Sequence, residues 1–252
     1  MGKLFWYLNR LQAMDLQEVC WRVQQRLLVK AEKRRFGKQR VRVDGEVWND
    51  ALRELGFDAG ALGINLDNAH YSTITEVHRL QGPDYGKWPD TFSYDLTYKQ
   101  RDDLGDARTC WEKHRHFRFA LLAKAAYVSG DSRLLAYLND EQDRWCEQHT
   151  FLHGIAWTSV MEVAIRAVNW MVTLAFCKDE KLAERLRTGV INMTDYLTRH
   201  YSRFSSANNH LLVEAAAIGL AGYAFGYRPW KELGMALLSK ELLNQNYEDG
   251  VN

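Results

Sequence analysis

The densest group of residues that could do chemistry lies at positions 205–210, which read SSANNH and precede the apolar run LLVEAAA. Serine and asparagine are preferred helix N-cap residues, so a helix is predicted to begin within one residue of Asn208. This places Asn209 and His210 at a helix N-terminus, where free backbone N–H groups and the helix dipole attract anions. Residue types alone leave two interpretations open, an anion-binding site and a capped structural turn.

A second group lies on the segment 157–177, which is apolar around most of its helical circumference. Its polar residues recur every three or four positions and form one narrow stripe: Ser159, Glu162, Arg166, Asn169 and Thr173. Such a helix suits the inner layer of a helical barrel, where the stripe would line a central cleft. The alternative is an ordinary helix whose Glu162 and Arg166, at positions i and i+4, pair in solvent.

The elements that must position these residues are predicted from apolar spacing and from punctuation such as Ser129-Gly130-Asp131. Helical segments are expected at residues 106–128, 131–149, 157–177, 179–203, 208–225 and 229–246. Their short connections require antiparallel neighbours, so the prediction is an all-α fold, an incomplete α/α toroid of helix hairpins over residues 106–252. Residues 41–105 are predicted to be irregular, with a few short strands or turns. Residues 1–40 are predicted to form a basic helical leader of two helices, with a joint near residues 13–15 and an Asp15-x-x-Glu18 capping pattern.

Charge and composition narrow the function. The 252 residues carry a net charge of +1, which excludes a globally basic nucleic-acid binder. Residues 1–42 nevertheless hold eleven Lys and Arg against three acids, which suits an anionic polymer, a membrane surface or simply a solvated helix face. No apolar run approaches the ~20 residues that span a bilayer, and no signal peptide is recognised, which favours a cytoplasmic over a periplasmic location. The cysteines are scattered and no metal-ligand spacing occurs, so neither a metal nor a cofactor is predicted.

Several segments together resemble one family. The segment SSANNHLLVEAAA is similar to the Asn-Asn-His segment of heparinase II/III-type polysaccharide lyases. Further segments resemble that family in the expected order: KWPDTFSYD at 87–95, WEKHRH at 111–116 followed by LLAKAAY at 121–127, WTSVMEVAIR at 157–166, and EDGVN at 248–252. The resemblance covers roughly residues 85–252, and residues 1–40 are also of the kind that the family carries.

The resemblance implies that the protein cleaves an anionic uronate polysaccharide by β-elimination. Nucleic acid is not expected as a partner. In these lyases the C5 proton of a uronic acid is removed and the bond at C4 breaks, and donors that neutralise the carboxylate assist the step. The resemblance assigns that neutralisation to Asn209, with His210 assisting. It also implies a tyrosine shortly after EDGVN and a later histidine for proton transfer. Both would follow Asn252, so this chain is expected to be inactive by itself.

Further substrate contacts are expected from the matched segments: Asn208, Arg115, His116, Trp157, Glu162, Arg166 and Glu214. For Arg115, His116, Glu162 and Arg166 the alternative is a buried polar network that holds helix ends together, and for Trp157 it is core packing. Two other functions remain open at this stage. A glycoside hydrolase would need two carboxylates across a cleft, for which Glu162 and Glu214 are candidates. A carbohydrate-binding module without catalysis would not need such a pair of carboxylates.

Overall fold

A computed structural model describes residues 14–64, 83–99, 101, 103–204 and 207–245. The chain divides into two compact units, residues 1–39 and residues 40–252. In the first, helix α1 (Leu16–Phe36) begins at the N-cap Asp15, whose carboxylate accepts a hydrogen bond of 2.6 Å from the backbone N–H of Glu18. This confirms the second predicted leader helix and its cap. The first predicted helix and part of its joint lie outside the described residues.

The second unit begins with the irregular segment. Its regular elements within the described residues are single 3-10 turns, at Asp50–Leu52, Gly60–Leu62 and Ser93–Asp95, and an antiparallel bridge between Phe92 and His153. The side chain of Asn192 fastens this segment to the helices, because its amide donates to the carbonyls of Val43 (2.8 Å) and Glu46 (2.7 Å).

Seven helices follow within the described residues, and the last six form three antiparallel hairpins, since each pair packs together and is joined by two or three residues. Their bounds are α2 (Ala107–His114), α3 (Phe117–Ser129), α4 (Ser132–Gln148), α5 (Val160–Phe176), α6 (Glu180–His200), α7 (Asn209–Ala224) and α8 (Arg228–Gln245). Helices α3, α5 and α7 pack side by side, and each also packs against the helix that follows it. This two-layered arrangement of hairpins is the α/α-toroid architecture, so the predicted all-α fold class is confirmed.

Helix α5 sits in the middle of this arrangement. It contacts α3, α6 and α7, and most of its residues are buried. Its neighbour α6 approaches so closely at Gly189 that a Cβ there would overlap the ring of Trp170. The position of α5 explains why its sequence is apolar around most of its circumference.

One predicted helix is divided in two. Residues 106–128 were expected to be continuous, but α2 ends at His114 and α3 begins at Phe117. The break occurs because His116 adopts the left-handed conformation, with φ of 60°, which a continuous right-handed helix excludes. The ring of His116 is held there by stacking on Phe119 and by a 2.9 Å hydrogen bond from the Trp170 indole N–H. Contacts with α5, distant in sequence, therefore fix the corner.

Candidate active site at the start of helix α7

The side chains of the Asn-Asn-His segment lie at the N-terminus of α7. Asn208 is the N-cap, and its side-chain oxygen accepts from the backbone N–H of His210 at 2.9 Å. Asn208 and Asn209 are exposed and His210 is half-buried. No hydrogen bond from the Asn209 side chain to another residue of the described part is seen. Helix α7 begins at Asn209, which confirms the predicted start within one residue of Asn208.

One turn further into α7, the carboxylate of Glu214 is fully buried. Its two oxygens accept from the backbone N–H of Ser202 at 2.5 Å and from the Ser202 hydroxyl at 3.0 Å. Ser202 belongs to the connection between α6 and α7, so this contact ties the connection to the helix that bears Asn209. Burial raises the pKa of Glu214 to about 7, although the hydrogen bonds from Ser202 act in the opposite direction.

A second group of predicted residues meets at the corner between α2 and α3. The guanidinium of Arg115 donates two hydrogen bonds to Glu162 on α5, at 2.6 and 2.9 Å, in the strong bidentate geometry. Hydrogen bonding to Glu162 raises the pKa of Arg115. The amide of Asn169 donates to the Arg115 carbonyl at 2.9 Å. Two polar residues of α5 therefore bind the corner directly.

Arg166 lies completely inside the protein. Its guanidinium donates to the carbonyls of His114 (3.1 Å) and Ala156 (2.9 Å), and it lies 4.9 Å from the ring centres of both Trp145 and Trp157. Desolvation lowers the pKa of Arg166 to about 10. Arg166 thus joins the end of α2 to the turn that precedes α5. Trp157 is equally buried, so its ring packs in the core.

His116 belongs to a cluster of rings with the buried His114 and the half-buried Tyr85 and His149. Tyr85 stacks on His114 with ring centres 4.8 Å apart, and its hydroxyl lies 3.5 Å from Nε2 of His116. Burial lowers the pKa of all three histidines, that of His149 to about 4. Edges of His116 and Tyr85 also line a cavity of about 370 Å³ beside the Arg118–Glu141 ion pair.

The predicted site residues therefore fall into two groups. Asn208, Asn209, His210 and Glu214 share the start of α7, whereas Arg115, His116, Trp157, Glu162 and Arg166 share the corner between α2 and α3. Glu162, Arg166 and Asn169 of the polar stripe neither line an open cleft nor pair in solvent, because they are buried and bind side chains and backbone of the corner. For Glu162 and Arg166 this geometry matches the alternative given above, a buried polar network that holds helix ends together.

Two contributors to these groups were not singled out from the sequence. Ser202 follows α6 with no motif around it, and Tyr85 lies in a turn-rich stretch. Neither carries a local signal, since each gains its role from residues distant in the chain. Within the described residues, no group of three or more His, Cys, Asp or Glu could hold a metal ion. No helix of the described part is long and apolar enough to cross a membrane.

Comparisons with solved structures give matches of low identity. A structure titled "Heparinase III-BT4657 gene product" matches with 20% identity and a TM-score of 0.49, covering 81% of this chain and 34% of its own. The heparan sulfate lyase HepC from Pedobacter heparinus matches with 21% identity and a TM-score of 0.44, covering 88% and 35%. The chain therefore spans about a third of the length of these solved relatives. No match was found among curated proteins.

The comparison with protein families gives a match over nearly the whole chain. The family described as "Heparinase II/III N-terminus" matches residues 8–252, a range that includes both groups of candidate residues. The chain belongs to the heparinase II/III N-terminus family.

Proposed function

We propose that this chain is the N-terminal part of a polysaccharide lyase that cleaves uronic-acid-containing anionic polysaccharides by β-elimination. The observation that carries the proposal is the exposed amide of Asn209 at the N-terminus of α7, next to the half-buried His210. The membership of the heparinase II/III N-terminus family supports it.

The chemistry explains why an amide is suited to this position. A base removes the proton from C5 of the uronate, electrons move to form a C4–C5 double bond, and the C4–O bond breaks with protonation of the leaving oxygen. The C5 proton is weakly acidic while the neighbouring carboxylate keeps its negative charge. A donor that binds this carboxylate stabilises the charge that develops as the proton leaves, as an oxyanion hole does.

In the proposal, the Asn209 amide donates to the substrate carboxylate and His210 orients or assists it. The backbone N–H groups of the first turn of α7 and the helix dipole favour the same negative charge. Asn208 caps the helix, and Glu214 holds the preceding connection through Ser202. These two residues act in the proposal by positioning, and the base and acid are assigned to residues beyond those described.

The corner between α2 and α3 is assigned a positioning role as well. Arg166 and Trp157 are buried and Glu162 has both oxygens bound by Arg115, so these groups fix α5 against the corner. The same contacts speak against a hydrolase that uses Glu162 and Glu214 as its carboxylate pair. A glycosidase needs both carboxylates beside the scissile bond, whereas Glu162 is buried in an ion pair.

The proposal is tested with the protein including any residues that follow Asn252. Wild type and Asn209→Ala are incubated with heparan sulfate, alginate and a bacterial exopolysaccharide that contains uronate. An unsaturated uronate end absorbs near-ultraviolet light, so lyase activity appears as rising absorbance. New reducing ends without that absorbance would show hydrolysis and contradict the proposal.

A further inference from the structure

A second place in the fold has the properties of a sugar-binding site. A cavity of about 740 Å³ lies where the irregular segment meets the start of α2. Among the described residues that line it are Tyr98, Lys99, Arg101, Asp106, Arg108 and Trp111. Its size is within the range of about 300–1,000 Å³ that is usual for small-molecule sites.

Two aromatic rings form part of its wall. Tyr98 and Trp111 are half-buried, with ring centres 5.3 Å apart in an edge-to-face arrangement. The indole N–H of Trp111 donates to the Ile155 carbonyl (3.1 Å) and to the Thr158 hydroxyl (3.0 Å). Because these bonds hold the indole, the wall is already ordered and a ligand need not immobilise it.

Three cations, Lys99, Arg101 and Arg108, and one carboxylate are among the described residues of the cavity wall. Lys99 and Arg108 are exposed, and neither forms an ion pair with another residue that the structure describes. Arg101 is held by Asp103 at 2.7 Å. Asp106 is the acid among the described wall residues, and its carboxylate accepts from the backbone N–H of Arg108 as the N-cap of α2. The cavity therefore combines flat rings with cations that a ligand can approach.

From this combination we infer that the cavity binds an acidic sugar unit of the polymer, as a subsite separate from Asn209. The rings of Tyr98 and Trp111 pack against the apolar face of a sugar, and Lys99 and Arg108 pair with its carboxylate or sulfate. The inference rests on the proposed function for its ligand class. It adds a contact through which a polymer could be held while another of its units is cleaved.

The test is isothermal titration calorimetry with size-defined oligosaccharides, one set carrying carboxylates alone (from alginate) and one carrying sulfates as well (from heparan sulfate). The variant Lys99→Glu/Arg108→Glu is compared with Lys181→Glu/Lys240→Glu, which makes the same change of net charge at exposed lysines on α6 and α8. We expect about tenfold weaker binding for the first variant, since two exposed charge contacts are worth about 1.4 kcal/mol together. The second variant should bind as the wild type does. If both variants bind the oligosaccharides equally more weakly, or if neither binds more weakly than the wild type, the inference is overturned.

Two further arms separate the ring contact from the charges. Tyr98→Phe keeps the ring and should bind normally, whereas Tyr98→Ala should weaken binding severalfold at an unchanged unfolding temperature. Normal binding by Tyr98→Ala would contradict the stacking role. A single-stranded DNA oligonucleotide that binds as tightly, and depends equally on Lys99 and Arg108, would show a general anion patch and overturn the sugar assignment.

The outcome is distinguishable from that of the lyase proposal. Asn209→Ala leaves the cavity intact and is expected to keep the cavity-dependent part of the affinity. If no polymer gives unsaturated products but the oligosaccharides still bind through Lys99 and Arg108, the lyase proposal fails and the subsite stands. If the polymers are cleaved but the cavity variants bind as the wild type does, the lyase proposal stands and the subsite is overturned.

Discussion

Glu214 provides the prediction that the structure defines most fully. Its carboxylate is buried against Ser202, and the pKa is raised from its ordinary value of 4.5 to about 7. Between these two pH values the folded protein keeps the proton while the unfolded chain has released it. The free energy of unfolding contributed by this group is therefore complete below pH 4.5 and is lost as pH rises through about 7. One pKa unit is worth about 1.4 kcal/mol, so the full effect is about 3 kcal/mol.

The perturbation is Glu214→Gln, which resembles the protonated side chain and does not titrate. Urea unfolding followed by circular dichroism gives the free energy of unfolding for both proteins from pH 4 to 8. The wild-type value minus the variant value is expected to fall by about 3 kcal/mol across this range. Taking the difference removes the contribution of every other titrating group. A difference that stays constant with pH would refute the reasoning.

Ser202→Ala serves as a matched variant for the same measurement. The Ser202 hydroxyl donates to Glu214, which favours the ionised form and holds the pKa down. Removal of the hydroxyl is expected to raise the pKa of Glu214. The fall in the free energy of unfolding should therefore occur at a higher pH than in the wild type. An unchanged midpoint would show that the hydroxyl does not contribute.

The remaining predictions concern the corner between α2 and α3. Burial lowers the pKa of His149 from 6.5 to about 4, so its contribution to stability is present above pH 6.5 and is lost as pH falls to about 4. His149→Phe should therefore lose less stability than wild type on acidification, by up to about 3 kcal/mol in urea unfolding; parallel acid curves would contradict this. Arg166→Met removes the donor from two buried carbonyls and should cost about 3 kcal/mol at pH 7, with Arg166→Lys losing less. A cost below about 1 kcal/mol for the methionine variant would mean that the carbonyls find other partners.

The elements of the fold were largely predictable because they depend on local signals. Apolar spacing and capping residues predicted the helices after Asp131 to within a few residues. The Asp15-x-x-Glu18 pattern predicted the cap at Asp15, and the serine and asparagine types predicted a helix start within one residue of Asn208. The interruption at His116 was not predictable in this way. Apolar periodicity does not register a single left-handed residue, and the contacts that favour it come from Phe119 and from Trp170 on another helix.

The candidate site was predictable in part for the same reason. The exposed amide of Asn209 follows from its place at a helix start, which local sequence defines. The partners of Glu162 and Arg166 could not be predicted from local sequence. A periodic stripe indicates that a helix has one polar face, but it does not indicate which residues cover that face. In this protein the cover is Arg115 with the backbone around it, which converts a predicted cleft lining into a buried network.

The most direct test of the central claim compares wild type, Asn209→Ala and Asn208→Ser in the near-ultraviolet assay on uronate polymers. Serine is also a good N-cap, so Asn208→Ser controls for disturbance of the start of α7. We predict rising absorbance for wild type and for Asn208→Ser, and a rate about 10²–10³ lower for Asn209→Ala at an unchanged unfolding temperature. Equal rates for Asn209→Ala and wild type would contradict the assignment of Asn209 as the group that neutralises the substrate carboxylate.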